Sequence, residues 1–438
     1  MRLLGSLLAA AIAVVLLAVP PADAATVSLV LQAPEAVRPG TSVPVVATLT
    51  QDGVPVAGAT VEVEQQDGAT WLPAGTALTD ADGVARTTVP SSGTTMVLRA
   101  RYAGTVSNQA TVTVRPVTST LAVAAPRAIV DEQAGTIAVA WTGADGLPVT
   151  GTVLVLQHVA GRPWTRLTTR STDANGRLAV VVRPRVDTWY RVAGAAGTGW
   201  LAPPSQDRAI DNRPPLRPVV LPAQAPRPTR LPAQRRASGA GANVVVRAIP
   251  ATVWNRMTGI SWHRGCVARS SLRYLETNYW GFDGYRHRGE LVVRASVAYK
   301  YRAAMSRLYA ARVPIRAMYL PDRFGYSRKS GGANDYASMR ADNTSAFNCR
   351  WVTGSPGRRS PHASGRSIDI NPFENPYYSA EGWLPNTWWR HRQIGLYAWK
   401  TGSHPVVRIM RASGFAWTYG TFDAQHFDGR YLQRRVGD

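Results

Sequence analysis

His362 and Asp369 bound the segment HASGRSID, and His426 follows Asp423 by three residues in DAQHFD. Two imidazoles and one carboxylate form the donor set of a zinc centre, which typically keeps three protein ligands and leaves its fourth position to water. Asp423 is placed to take the proton of that water. The chemistry predicted is metal-assisted hydrolysis, with His362, Asp369 and His426 as ligands of Zn2+ and Asp423 as general base. Singly these residues say little, because a lone histidine is most often a hydrogen-bonded structural residue and an aspartate after a glycine turn is commonly a cap. Their combination carries the reading.

Specific local structure must position them. Pro361 and Gly365 argue against a helix through His362. After Gly365 the alternation predicts a strand, with Ile368 and Ile370 on one face and Ser367 and Asp369 on the other, away from the core. A flat strand would send Asp423 and His426 to opposite faces, so a turn is predicted at Ala424 and Gln425. Residues 296–311 carry Val297, Tyr301, Ala304, Met305, Leu308 and Tyr309 at helical spacing. A second helix is expected from an N-cap at Ser403 to a stop at Gly414. Short strands such as GELVV and RSIDIN lie between them, and this order predicts an α+β domain with a small antiparallel sheet.

Upstream the pattern changes. Residues 26–212 contain a repeat with a constant offset of 93: Asp52-Gly53 matches Asp145-Gly146, Trp71 matches Trp164, and Thr79-Asp80 with Gly83 matches Thr172-Asp173 with Gly176. Val/Thr/Leu runs alternating with Asp-Gly and Asn-Gly turns predict antiparallel β-sandwiches. Their pattern DGxPVxG…TDAxG resembles bacterial immunoglobulin-like domains, which implies a spacing or adhesive role. Residues 213–242 are rich in proline and arginine, with LPAQ occurring twice, and predict a semi-rigid linker. The expected organisation is a signal peptide at 1–24, sandwiches at 25–116 and 117–212, the linker at 213–242 and the α+β domain at 243–438.

The first 24 residues combine Arg2, an apolar run and Ala22-Asp23-Ala24, which reads as a secretory signal cleaved after Ala24. The apolar run is short for a membrane span, and no later stretch approaches the roughly 20 apolar residues a span needs. A secreted, extracellular or wall-associated protein without a transmembrane segment is expected. In that oxidising setting Cys266 and Cys349, the two cysteines of the chain, predict one disulfide. The formal net charge is +23, and residues 241–438 hold 29 Lys+Arg against 12 Asp+Glu, or +17. Residues 25–212 are close to neutral. A basic C-terminal domain and linker draw the chain toward polyanions, with anionic wall polymers as expected partners. Charge alone suggests nucleic acid, and no motif for specific nucleic-acid recognition accompanies it.

The pattern HxxxGxxxD followed by DxxHFD resembles the M15 family of zinc peptidases, the D-alanyl-D-alanine carboxypeptidases and L-alanyl-D-glutamate endopeptidases that cut peptidoglycan stem peptides. Supporting segments are SWHRGC around Cys266, GELVV at 289–293, DNTSAFNCR at 342–350, SPHASGRSIDINPFENPY at 360–377 and GFAWTYGTFDAQHFD at 414–428. The resemblance implies the same roles for His362, Asp369, His426 and Asp423, and makes Arg350 the arginine that stabilises developing negative charge. Many family members have Glu where this chain has Asp423, which tilts the match toward the Asp-bearing, endolysin-like branch. Ser367 stands where Ala is common. A peptidoglycan peptide is the substrate this implies. A non-catalytic wall-binding or adhesive protein that keeps the fold is the alternative. His263, His287, His391 and His404 read as structural or surface residues, and Tyr377, Tyr378, Trp383, Trp388 and Trp389 as local core or as a wall of the cleft.

Overall fold

A computed structural model describes residues 25–429. The expected signal segment lies outside the described residues. Two compact units emerge: one holds the chain up to Arg127 with Gly135–Val182 and Thr188–Ile210, and the other holds Ala128–Ala134, Arg183–Asp187 and the chain from Asp211 onward.

In the first unit each repeat folds as two mainly antiparallel sheets, one of them with a short parallel edge pair. In the first copy Val27–Gln32 and Val84–Pro90 both pair with Ser42–Gln51. The other sheet centres on Thr60–Asp67, flanked by Thr70–Leu78 and Thr95–Tyr102, with Ala110–Val114 beyond. Period-2 alternation directs every second side chain inward, so Val43, Val45, Ala47 and Leu49 of one sheet meet Val61, Val63, Met96 and Leu98 of the other in one core. The second copy repeats this order, with Ser119–Ala124 and Arg177–Val182 pairing with Gly135–Gly143, and Thr152–His158 lying between Thr165–Ser171 and Thr188–Gly194.

The second unit contains an antiparallel sheet of Val245–Arg247, Leu272–Trp280 and Arg286–Arg294. The helix Ala298–Ala310 follows, entered through a 3-10 turn at Ala295–Val297. Its predicted apolar face is buried at Val297, Tyr301, Ala304, Met305 and Leu308, and Tyr309 stacks on Trp280 with ring centroids 5.4 Å apart. The later helix spans Pro405–Ala412 and is capped by His404, whose Nδ1 accepts from Val406 N at 3.3 Å, not by Ser403. Pro405 fixes this start, since proline favours the first helical position. Both helices, the strand residues Leu275, Leu291 and Val293, and Ile368, Ile370, Trp399 and Phe427 share one core.

Residues 214–237 are packed along this unit and do not stand free. Val219 N donates to Phe282 O at 2.7 Å and Ala237 N to Arg286 O at 3.0 Å. The Gln234 amide reaches Met318 O at 2.9 Å and accepts from Met318 N at 2.7 Å. Ala225 is buried among Phe282, Phe373, Trp389 and Tyr397. Extended proline-rich backbone leaves its polar groups open to partners, and here other segments of the same unit supply them. Among the described residues no helix is long and apolar enough to cross a membrane.

Candidate active site

Two short antiparallel strands, Ser367–Asp369 and His426–Asp428, build the centre of the site. Their register pairs Asp369 with His426, Ile368 with Phe427 and Ser367 with Asp428. Paired residues share a face, so the pattern sorts itself: Ile368 and Phe427 enter the core, while Ser367, Asp369, His426 and Asp428 line the other side. That side faces away from the core as predicted. It is nonetheless buried, at 1%, 5% and 2% exposure for Ser367, Asp369 and His426. Ser345 pairs along the free edge of the strand through reciprocal backbone bonds with Asp369 of 2.9 and 3.1 Å.

His362 arrives from a single 3-10 turn, Pro361–Ser364, where an irregular loop was expected. Proline at its first position starts the turn, Ser360 caps it, and Gly365 ends it at φ 71°. Gly365 O accepts from Arg294 N at 2.7 Å, and a Cβ on Gly365 would stand 3.0 Å from that nitrogen, so a larger residue would push the His362 turn off the sheet. On the other side a 3-10 turn at Gly420–Phe422 leads to Asp423, and the chain turns at Ala424 and Gln425 as predicted, with His426 N donating to Asp423 O at 3.2 Å.

The side chains of His362, Asp369 and His426 converge, with one ligand atom from each within 4.8 Å of the others. His362 Nε2 lies 3.0 Å from Asp369 Oδ2 and 3.1 Å from His426 Nδ1, which in turn lies 3.0 Å from Asp369 Oδ1. The far side of each ring fixes its tautomer. His362 Nδ1 lies 2.7 Å from Ala346 O, and His426 Nε2 lies 3.0 Å from Asp428 Oδ1. Both partners are acceptors, so both of those nitrogens carry protons. The nitrogens left facing the cluster are then the ones with free lone pairs. Two lone pairs and a carboxylate aimed at one spot repel unless a positive charge sits among them, so the donor set fits a divalent cation.

The electrostatics set a proton in competition with that cation at His426. Burial raises the Asp369 carboxyl, but the two imidazoles outweigh it and hold it well below the usual carboxylate range. Burial lowers His426, yet its hydrogen bonds to Asp369 and Asp428 lift it well above an ordinary histidine. Asp428 is held low against its own burial by His426, Ser367 and Thr418, the two hydroxyls donating at 2.6 Å each. Asp423 is pushed up to about 7, chiefly by burial, with Asp369 adding to the rise and His426 opposing it. Among the described residues Asp423 Oδ1 has no hydrogen-bond partner. A cation at the cluster would favour the ionised form and lower Asp423 again.

All four residues line one cavity of about 540 Å³, with Arg350, Asp335, Arg358, Arg359, Tyr377, Tyr378, Tyr419 and Phe422 in its walls. Arg350 is buried and pairs with Asp335 at 2.6 Å. Its Nε is buried without a partner among the described residues. Cys266 and Cys349 form the disulfide, and Cys349 adjoins Arg350 in the chain. A second grouping of potential ligands, His263 with these two cysteines, has its sulfurs bonded to each other, and His263 Nε2 lies 3.0 Å from Cys349 O.

The remaining residues named from sequence separate. His287 pairs with Asp283 at 2.9 Å, His404 caps a helix and His391 is exposed. Tyr377 and Tyr378 face the cavity, Trp383 packs beside Tyr378 at 5.3 Å, and Trp389 is fully buried against Trp388 and Tyr397. Sequence reasoning missed Asp428 and Asp335. Asp428 had a signal: two residues after His426 on a strand, it must share that residue's face. Asp335 had none, because it reaches Arg350 from a helix, Asp335–Arg340, distant in sequence.

No curated protein matches the chain. Residues 353–429, which hold His362, Asp369, Asp423 and His426, match a family model described as D-alanyl-D-alanine carboxypeptidase. Over that stretch the C-terminal unit is similar to M15 peptidases.

Proposed function

We propose that the protein is a secreted zinc peptidase that hydrolyses peptide bonds in peptidoglycan stem peptides. The observation that carries this is the convergence of His362, Asp369 and His426 on one point, in the same cavity as Asp423, whose Oδ1 is buried without a hydrogen-bond partner among the described residues. His362 through Nε2, His426 through Nδ1 and Asp369 would hold the metal. The chemistry a zinc ion supplies there is acidification of a coordinated water, from a pKa of about 15.7 to near 7.

The rest falls to the chain. Asp423 accepts the proton of the attacking water and returns it to the leaving amine as the peptide bond breaks. The Arg350 guanidinium, anchored by Asp335, offers its Nε–H to the carbonyl oxygen as negative charge develops on it. Ala346 O and Asp428 hold the two imidazoles in the tautomers that ligation needs. Tyr378, Tyr419 and Phe422, exposed at the cavity mouth, provide apolar surface against the substrate. The two modules of the first unit are immunoglobulin-like in this reading and serve as spacers or adhesive elements.

The test is product analysis by mass spectrometry on a defined muropeptide. Release of D-alanine or of a stem-peptide fragment should stop on dialysis against EDTA and return with zinc. Full activity in the chelated protein would overturn the proposal. An unchanged biological effect of Asp423→Ala would favour the wall-binding alternative.

A further inference from the structure

The second sandwich module carries a feature unrelated to hydrolysis. On the sheet formed by Thr165–Ser171, Thr152–His158 and Thr188–Gly194, the residues Val153, Val155, Tyr190 and Val192 point into the core. The opposite face therefore presents His158, paired in register with Trp189, and Leu156, paired with Arg166 on one side and Arg191 on the other. Trp164 flanks His158, with ring centroids 5.1 Å apart, and His158 lies 5.7 Å from Trp189. Three rings thus form a row across three strands, spanning about 10 Å at ordinary strand spacing. Trp189 is 38% exposed, and His158 Nδ1 is buried without a partner among the described residues.

A basic row runs beside it. Arg191 stacks over Trp164 at 4.6 Å and grips Asp207 through two bonds of 2.8 Å. Thr165–Ser171 is the edge strand of the sheet and brings Arg166 to this face beside Leu156; it is exposed and makes no salt bridge among the described residues.

The first module supplies an internal control. There Arg99 stacks over Trp71 at 4.1 Å, so the Trp–Arg pair is common to both copies. Trp71 pairs with Gln66, and Val97 is next in register after Leu98, so Gln66 and Val97 occupy the places of His158 and Trp189. The sheet folds without those two rings, and their presence in the second module has no structural requirement behind it.

We propose that this face of the second module binds a polysaccharide that carries carboxylates. The C–H face of a pyranose is apolar and flat, and exposed indole rings offer matching surface with polar atoms at their edges. Arg166 on the open edge provides a guanidinium fork for a carboxylate beside the rings. A peptide partner would use the free backbone of the edge strand, whereas the features described here lie on the face of the sheet, as rings beside Arg166 and Arg191.

The experiment is affinity electrophoresis of the full chain in gels containing polygalacturonate or neutral dextran, at about 0.15 M salt, where the Debye length is about 8 Å and diffuse attraction to the basic C-terminal unit is reduced. The double variant His158→Gln/Trp189→Val installs the residues of the first module, a combination that already folds in this chain. It should bind polygalacturonate at least tenfold more weakly, with its thermal transition kept and hydrolysis of a soluble muropeptide unaltered. A change under threefold would overturn the proposal and assign the retention to net charge. Arg166→Glu should weaken binding to polygalacturonate as well, and equal retention of the native chain on dextran would overturn the carboxylate preference. Inactivity of the native chain on muropeptide would bear on the hydrolytic site alone.

Discussion

The strand Ser42–Gln51 in the first module and the strand Ser367–Asp369 at the site place their side chains by the same alternation but use it differently. In Ser42–Gln51 the inward positions are apolar and the outward ones face water, so one look at the period gives the whole energetic account. In Ser367–Asp369 all three residues are buried, Ile368 against apolar partners and Ser367 and Asp369 against polar ones. Burying a carboxylate costs several kcal/mol unless charge and hydrogen bonds offset it. A strand that retains such a residue on its second covered face marks a place where folding has been subordinated to chemistry.

Substitutions at neighbouring positions can break that comparison. The largest effect is expected for Asp423→Ala, where loss of a general base should lower kcat/KM on a muropeptide about 10²–10⁴-fold while zinc stoichiometry stays at one per chain; a loss below tenfold would remove Asp423 from the proton pathway. Phe427→Ala, on the core face of the strand that holds His426, should cost about 3–5 kcal/mol in chemical denaturation. Leu49→Ala in the first module should cost a comparable 2–5 kcal/mol, roughly, but in a transition that leaves hydrolysis untouched. If both variants lost activity in parallel, the claim that the polar face alone carries the chemistry would fail. Asp428→Asn keeps the shape and removes the charge behind His426, so zinc affinity, read by competition with a chromogenic chelator, should fall about 10–100-fold. Unchanged affinity would reduce Asp428 to a packing residue.

Much of this was legible in the chain itself. The alternation around Ile368 and Ile370, the spacing of Asp423 and His426 and the turn between them are local properties, and local periodicity determines them. The helix Ala298–Ala310 was equally plain, because its apolar face repeats at helical spacing. What stayed hidden depends on contacts between distant segments. Asp335 meets Arg350, and Ala346 O meets His362, only after the chain has folded. The His404 cap was missed for a local reason: Ser403 is the more usual capping residue, but Pro405 makes the residue immediately before it the cap.

The packed stretch from 214 to 237 governs where the C-terminal unit can be excised. A fragment beginning at 243, the border that composition suggests, would strip Ala225, Gln234 and Ala237 from their seats and uncover Phe282, Tyr279 and the backbone of Arg286. Such a truncation would expose fresh apolar surface and invite aggregation. A start near Asp211 keeps this proline-rich strap as a brace and gives up only Ala128–Ala134 and Arg183–Asp187 of the same unit, with the Glu132 partner of Arg286.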